Sequence, residues 1–563
     1  MRGHSVARRH STGRRHTRAR PASTGAARER VWIARLTAFL IASAIGARAP
    51  AQAIYLAPQG SASSEFGSCL CVAWDVTGDG VPELLIGAPG ADPNGLANAG
   101  SVFLISPRTG QLLGEIDGTL VGEALGTSIA MLGDVNGESI PDFVIGSPYA
   151  NQGGFQAGRV TLFSGGTFTA IRTHDGNQLG EVLGCKVAGP GDLDGDSVPD
   201  YLVAASGYSS GGHSSRGAVV AFSGATGSEL FRVEGDSDFD ALGTALVAVP
   251  DLNGDGTDEF LAGAPGFDDG PSIGAGLVRM YSGANGSQMA ERRGEQSGDN
   301  FGATIVLDAD RTGDGKGEYL VGAPPADRNS LSNVGVVYLL TAYGLSILTA
   351  IEGSEANAYL GTSLCELGDI DGDGVADFAL GEPDVSNGTG ALQVYSGLLR
   401  TLAYRLEASA SGDAFAFAVT DLGDVDRDGY VDYAIGAPFH GGGQVEIRRG
   451  LVPALTITGT GQIGTIMSIH ITSEVNQDFL IIYDLNGGPV DSQFGTFLIG
   501  FTPYWGRSPK LYTDGFGHWQ YDYSIPNDPA LIGITFYMQA LVFTFYPPNG
   551  SFLLSQGASI TFS

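Results

Sequence analysis

Four cysteines in 563 residues are too few for a disulfide framework. Cys69 and Cys71 lie two apart on one predicted strand, where side chains point the same way, so they are poorly placed to pair with each other. Together with Cys185 and Cys365 they read as buried free thiols. Histidine is equally sparse. Beyond residue 53 it occurs only at His174, His213, His440, His470 and His518, none in a recognisable catalytic spacing with a cysteine or an acid. Nothing therefore supplies a catalytic metal with an open position, and no stretch supports phosphoryl transfer or dinucleotide binding. Basic residues are outnumbered, 30 against 61 acidic, for a formal net charge of −31. A surface of that sign repels nucleic acid and anionic membranes and attracts cations, so no nucleic-acid partner is expected.

The first 53 residues differ in kind from the rest. They hold eleven arginines and one acid, Glu29, ahead of the twelve-residue apolar run from Leu36 to Ala47 and the small-residue string Ala51-Gln52-Ala53. A basic stretch, a short apolar core and such a string make a secretory signal peptide, residues 1–53, with cleavage expected before Ile54. Twelve apolar residues cannot span the roughly 30 Å of a bilayer core. The mature chain is thus expected to be secreted, extracellular or at the cell surface, with no transmembrane segment. Removing the leader leaves 19 basic against 60 acidic residues, a net charge of −41.

What the chain has in excess is glycine, 87 residues. That is about twice the usual share, and without a collagen period it signals many tight turns between short strands. Self-comparison explains it. A nine-residue acidic loop starts at Asp75, Asp134, Asp192, Asp251, Asp310, Asp369 and Asp424, a period of 58 or 59 residues with a final step of 55. Each copy is followed by a short apolar strand and a Gly-Ala-Pro-like turn, as in LLIGAP, FLAGAP and YAIGAP. Each is preceded by Phe-Gly or Leu-Gly, for example Phe66-Gly67 and Leu242-Gly243, with Phe415-Ala416 in the seventh copy. A further strand, typified by GRVTLFSG and GLVRMYSG, completes four strands per repeat. Four short strands at this period describe a propeller blade, which stacks on its neighbours around a central channel. The last repeat lacks an outer strand, whereas an orphan strand, residues 54–58, precedes the first. Those residues are predicted to complete the seventh blade and hide its edge.

These repeats resemble FG-GAP repeats, the blades of integrin α-subunit heads and of many secreted bacterial proteins. The resemblance covers residues 54–450 and implies an all-β chain, a seven-bladed β-propeller. After it, residues 451–563 show alternating apolar strands such as ALTITGT and DFLIIYDL, which read as a C-terminal β-sandwich domain. There Trp519, Tyr521 and Tyr523 alternate on one face, either packing a core or forming a platform for sugar rings.

Within each acidic loop, side chains at positions one, three, five and nine, with the main-chain carbonyl of position seven, can gather oxygens around one hard cation. Calcium suits the irregular all-oxygen shell, and glycine at position six permits the bend. The candidate ligands are Asp75, Thr77, Asp79 and Glu83; Asp134, Asn136, Glu138 and Asp142; Asp192, Asp194, Asp196 and Asp200; Asp251, Asn253, Asp255 and Glu259. The remaining three loops contribute Asp310, Thr312, Asp314 and Glu318; Asp369, Asp371, Asp373 and Asp377; Asp424, Asp426, Asp428 and Asp432. Loops with four spaced acids, those at Asp192, Asp369 and Asp424, would be self-repelling turns without a cation. The resemblance implies the same Ca2+, bound between the first two strands of a blade.

The string Gly207-Tyr208-Ser209-Ser210-Gly211 is lipase-like, with His213 nearby. A nucleophile elbow needs a strand before it and a helix after it, whereas alignment puts the string in a loop after a Gly-Ala-Pro-like turn. No catalytic residue is assigned. The expected function is a non-enzymatic extracellular interaction or adhesion protein, expected to be monomeric, for a protein or polysaccharide ligand. Loops after the Gly-Ala-Pro turns, including Asp268-Asp269 and Asn329 to Asn333, are the candidate contact surface. The alternative is a secreted hydrolase or lyase with its active site at the channel mouth.

Overall fold

The apolar strand before each Gly-Ala-Pro turn is too short for a helix and is flanked by glycine, so it pairs as a strand on both sides. The computed structural model of the chain describes residues 54–56, 63–370, 375–397, 400, 402–408, 412–425, 427 and 431–449, and the backbone of eleven strands between Ala454 and Thr561. Six four-stranded antiparallel sheets follow one another, at 69–117, 128–175, 183–234, 245–293, 304–352 and 364–407. A seventh joins three strands, Ala418–Gly423, Asp432–Ala437 and Gln444–Arg449, to Ile54–Leu56 at its outer edge. Ile54 lies opposite Ile447, Tyr55 opposite Glu446 and Leu56 opposite Val445. The seven-bladed propeller expected from the repeat is therefore present, and its last blade is completed from the other end of the chain. Residues 1–53, where a signal peptide is expected, and residues 57–58 lie outside the described residues.

Blades stack face to face, so the middle strands are covered on both sides. Leu84–Ala88 and Ser101–Ile105 of the first blade are buried throughout, whereas the outer strand Leu112–Asp117 is mostly open. Apolar clusters span neighbouring blades. Phe66, Leu84, Ile86 and Leu422, Val445, Ile447 form one such cluster across the closure.

The Phe-Gly and Gly-Ala-Pro elements have a shared cause. The residue before each lead-in glycine forms a parallel bridge with the glycine opening the third strand of the preceding blade: Gly100 with Leu125, Gly276 with Phe301, and, across the closure, Gly443 with Phe66. These lead-in side chains are buried, Phe66 at 0% and Leu242 at 0% exposure. The following glycine has a left-handed backbone, φ +95° at Gly243 and +88° at Gly302. Its carbonyl then lies against the Gly-Ala-Pro glycine of the preceding blade. A Cβ on Gly263 would sit 1.9 Å from the Gly302 carbonyl oxygen, and one on Gly87 would sit 2.1 Å from that of Gly126. A Cβ is thus excluded at Gly263 and Gly87, where two backbones meet; blade three carries Ala204 at the corresponding position, against Gly243.

The innermost strands surround a cavity of about 310 Å³, lined among others by Ser68, Leu70, Lys186, Leu246, Thr304 and Phe417. All four cysteines are free, and burial pushes the Cys71 thiol up to about 12. Among the described residues the only α-helical element is the single turn Val385–Gly388.

The C-terminal strands belong to a separate unit. Ala454–Thr458, Ile466–Thr472 and His518–Ser524 pair as one sheet. Asp478–Asp484 and Thr535–Phe543 pair at the centre of a second, and Gly487–Ser492 with Gly495–Ile499 forms a hairpin. Trp519, Tyr521 and Tyr523 stand opposite Ile471, Ile469 and Met467 in the register; their side chains lie outside the described residues.

Two outcomes follow from this packing. Gly263→Ala should cost about 3 kcal/mol, the upper end of overpacking penalties because backbone rather than a side chain is struck, read as a lower denaturation midpoint at unchanged slope. Deleting residues 54–56 should leave Gln444–Arg449 as an open edge and raise concentration-dependent association above that of the full chain, read by size-exclusion chromatography with light scattering.

Candidate metal centres

Every acidic loop joins the first and second strands of its blade, as in the passage from Cys69–Val72 to Leu84–Ala88. All the loops consequently lie on one face of the ring. Within a loop the position-one carboxylate folds the chain around itself. Asp75 accepts from the N–H groups of Gly78, Asp79 and Gly80 at 2.7, 3.1 and 2.8 Å, and Asp310 does the same with Gly313, Asp314 and Gly315. Those donors favour the ionised form and hold both carboxyls below the usual range, the Gly80 N–H acting most on Asp75 and the Gly315 N–H most on Asp310. Position six needs a left-handed backbone; Gly256 has φ +91°, while Ser139 and Ser197 adopt +65° and +69° against their preference.

Position nine is the buried arm of the loop. Glu83, Asp142, Asp200, Glu259, Glu318, Asp377 and Asp432 are all at 0–1% exposure. Each accepts the N–H of position two, from Val76, Val135, Leu193, Leu252, Arg311, Ile370 and Val425, at 2.5–2.9 Å. At Asp142, Asp200 and Asp377 the other oxygen takes a glycine N–H from the turn after the third strand, that of Gly165, Gly224 and Gly397 respectively. Burial raises the carboxyl pKa of Asp200, and next to it the charges of Asp194 and Asp192 do; burial likewise leads the rise at Glu259.

Three loops bring their carboxylates together. Oxygens of Asp192, Asp194 and Asp200, of Asp251, Asp255 and Glu259, and of Asp310, Asp314 and Glu318 lie within 4.8 Å of one another in each group. These are all-oxygen donor sets of the kind a hard cation takes. In the blade-four loop the Asn253 amide NH2 points at Asp255 and Glu259, at 2.9 and 2.7 Å. A turn of that amide would present its carbonyl to the same point.

The other loops differ. Glu138 is drawn out of its loop to Ser164 Oγ at 2.6 Å and Gly166 N–H at 3.0 Å, and the Ser164 bond is the chief reason its carboxyl is held low. Asp79 faces Arg108 at 3.8 Å, and Arg427 donates to the Asp79 carbonyl. Asp196 is bonded by the Val198 N–H at 2.9 Å and stands outside the carboxylate group of its loop. Asp371, Asp373, Asp426 and Asp428 lie outside the described residues.

A second set of acids escaped the sequence reading. Glu123, Glu181, Asp240, Asp299 and Asp413 stand two residues before the lead-in Leu or Phe and are nearly fully buried. Glu123, Glu181 and Asp240 each accept two N–H groups from the turn just before them. Asp299 pairs with Arg328 at 2.9 Å and Asp413 with His440 at 2.9 Å. The fixed offset was the available signal; it brings these acids to the face opposite the loops, where they brace turns. The flagged loops on that face are braced too, since Asp268 accepts the Gly274 N–H and Asp327 the Asn333 N–H at 2.7 and 2.8 Å. In the lipase-like string, Ser210 Oγ donates to Glu234 at 2.5 Å and Ser209 Oγ accepts the Ser215 N–H, and turns and a strand rather than the helix of a nucleophile elbow follow it.

Glu366, on the innermost strand of the sixth blade, is pushed up to about 7, first by burial and then by Asp308 and Asp421. A raised folded-state pKa stabilises below the unfolded value near 4.5 and is lost as pH rises through 7. Glu366→Gln should therefore stabilise the chain at pH 8 and change little at pH 4. The gain is about 1–2 kcal/mol once solvent screening of this part-buried group is allowed for, measured by denaturant titration at both pH values.

The pattern of the family described as FG-GAP repeat matches residues 66–105 and 242–278, each running from the lead-in residue through the acidic loop to the third strand. Integrin alpha-V of Gallus gallus is 32% identical over 206 residues, 34% of this chain and 19% of that protein. Integrin alpha-IIb of Homo sapiens is 33% identical over 228 residues, 38% of this chain and 21% of that protein. Phosphatidylinositol-glycan-specific phospholipase D of Homo sapiens is 29% identical over 300 residues, 46% of this chain and 35% of that protein. The chain thus spans from about a fifth to about a third of the length of these relatives. Repeats of this pattern, folded as seven closed blades with their acidic loops on one face, make the chain an FG-GAP repeat β-propeller of the integrin α-subunit type.

Proposed function

We propose that this is a secreted, calcium-binding, non-enzymatic interaction protein, in which metal-stiffened blades present loops to an extracellular protein or polysaccharide. The observation that carries the calcium reading is the convergence of carboxylates on three loops, each around a position-nine acid sealed from solvent. Such a buried charge is costly without a counter-charge, and one divalent ion per loop supplies it using oxygens alone. The role is structural, because one loop fills every ligand position.

The interaction reading draws on the other face. Strands alternate in direction, so turns after Gly-Ala-Pro and before the lead-in glycine share the face opposite the acidic loops. Tyr149, Phe155, Leu179, Phe239, Ile273 and Phe439, all on those turns, are 45–75% exposed. Apolar side chains concentrated on one face of an otherwise acidic protein are a feature of contact surfaces. The C-terminal strands are read as a β-sandwich, residues 451–563. The likeness to a phospholipase D keeps a hydrolase or lyase as the second reading.

Thermal unfolding of the full chain with excess calcium and with chelator, beside calorimetric counting of ions, tests the first part. Calcium at a hundred times its Kd should add about 2.7 kcal/mol per occupied loop, a rise of many degrees with several ions bound. An unchanged melting temperature and no bound ion would sink it. Incubation with phosphodiester, ester and polysaccharide panels tests the second part: turnover would favour the hydrolase reading over the non-enzymatic one.

A further inference from the structure

The loops of blades four and five are joined by bonds of their own. Lys316, position seven of the blade-five loop, donates from Nζ to the Asp251 carbonyl at 2.8 Å. Tyr343, in the turn after the third strand of blade five, donates from its hydroxyl to the Leu252 carbonyl at 2.7 Å. Blade five thus holds two consecutive peptides at the start of the blade-four loop. The position-one carboxylate hangs from Asp251, and the N–H of the first of these peptides, that of Leu252, holds Glu259 in place at 2.6 Å. Leu252 itself packs in one cluster with Leu340, Ala342 and Leu345 of blade five.

Between the loops lies a second, independent feature. Tyr319 is at 0% exposure, and its hydroxyl has no hydrogen-bond partner among the described residues. Tyr319 follows Glu318, the position-nine acid of its own loop, in the chain and packs in one cluster with Leu252 of the blade-four loop. An unpaired buried hydroxyl in that place is a group left for a filled site to satisfy.

We propose that the blade-four and blade-five loops bind their cations as a coupled pair, ion binding in one tightening the other through Lys316 and Tyr343. The inference rests on the calcium reading. An ion in the blade-five loop draws on the main-chain carbonyl of Lys316 and so fixes the backbone from which the lysine reaches Asp251. The peptides it holds are then ordered before the second ion arrives, and the second ion meets a smaller ordering cost. Repulsion between the ions opposes this but is screened, since Asp251 lies part open and Asp255, Asp310 and Asp314 are solvent-exposed. Lys316 by its own charge weakens the blade-four loop taken alone, so the two effects of that residue separate by measurement.

Hydrogen exchange of the full chain along a calcium titration reads each loop by its own peptide. Disabling the blade-five loop with Asp310→Asn and Asp314→Asn should raise the calcium concentration that protects residues 251–259 by about fivefold or more. In a Lys316→Met background the same pair of substitutions should move that midpoint much less. Asp75→Asn with Asp79→Asn, in the blade-one loop, should leave it in place. An unmoved midpoint after loss of the blade-five loop would overturn the coupling while leaving calcium binding intact. Absence of calcium-dependent protection at 251–259 in the unaltered chain would instead overturn the calcium reading, and the coupling with it.

Discussion

Contact between backbones of adjacent blades is the constraint on which the rest of the molecule depends. The lead-in carbonyl of one blade rests on the Gly-Ala-Pro glycine of the preceding one, with no room for a Cβ between Gly302 and Gly263 or between Gly126 and Gly87. That approach sets the spacing of the blades. At that spacing the middle strands are covered on both sides, and buried Phe66, Leu242 and Phe301 can bridge to the preceding blade. Where the pattern departs, the backbone bears it: Ala416 stands in the lead-in glycine's place at φ +64°.

Closure follows from the same rule. A ring of identical contacts has no natural end, so a free edge would remain unless the last blade borrowed a strand. Ile54–Leu56 supplies it, and Phe66 bridges to Gly443 as every other lead-in residue does to its own neighbour. The seventh interface therefore repeats the other six, although its two sides lie nearly four hundred residues apart in the chain.

Acidity is distributed by face. On one face, carboxylates converge within loops and leave negative charge partly sealed from water, a demand for cations. On the other, acids are matched by arginine, histidine or backbone N–H groups and serve as braces, as with Asp299 on Arg328. Apolar side chains are exposed on that second face. The converging carboxylates and these exposed apolar side chains are thus kept apart by nothing more than strand alternation, since successive turns of an antiparallel sheet fall on opposite ends.

Much was legible from residue order alone. Seven copies of one motif specify seven blades, because each repeat is a local unit with its own turns and short strands. The orphan strand before the first copy specifies how the ring closes, because a missing and a surplus strand have one economical pairing. That each acidic stretch is a tight loop between the first two strands of its blade was also legible, since such a turn closes within nine residues. Tertiary structure decided the rest, for a physical reason common to each case. Glu138 is shared between its own loop, through Asn136, and Ser164 and Gly166 of the turn after the third strand. Lys316 reaches Asp251 from 65 residues away, and Glu366 is pushed up to about 7 by burial between blades and, after it, by Asp308 and Asp421 of its neighbours. Hydrogen bonds and charges act through space, and a period in the sequence records what recurs in every blade, never what one blade does to the next.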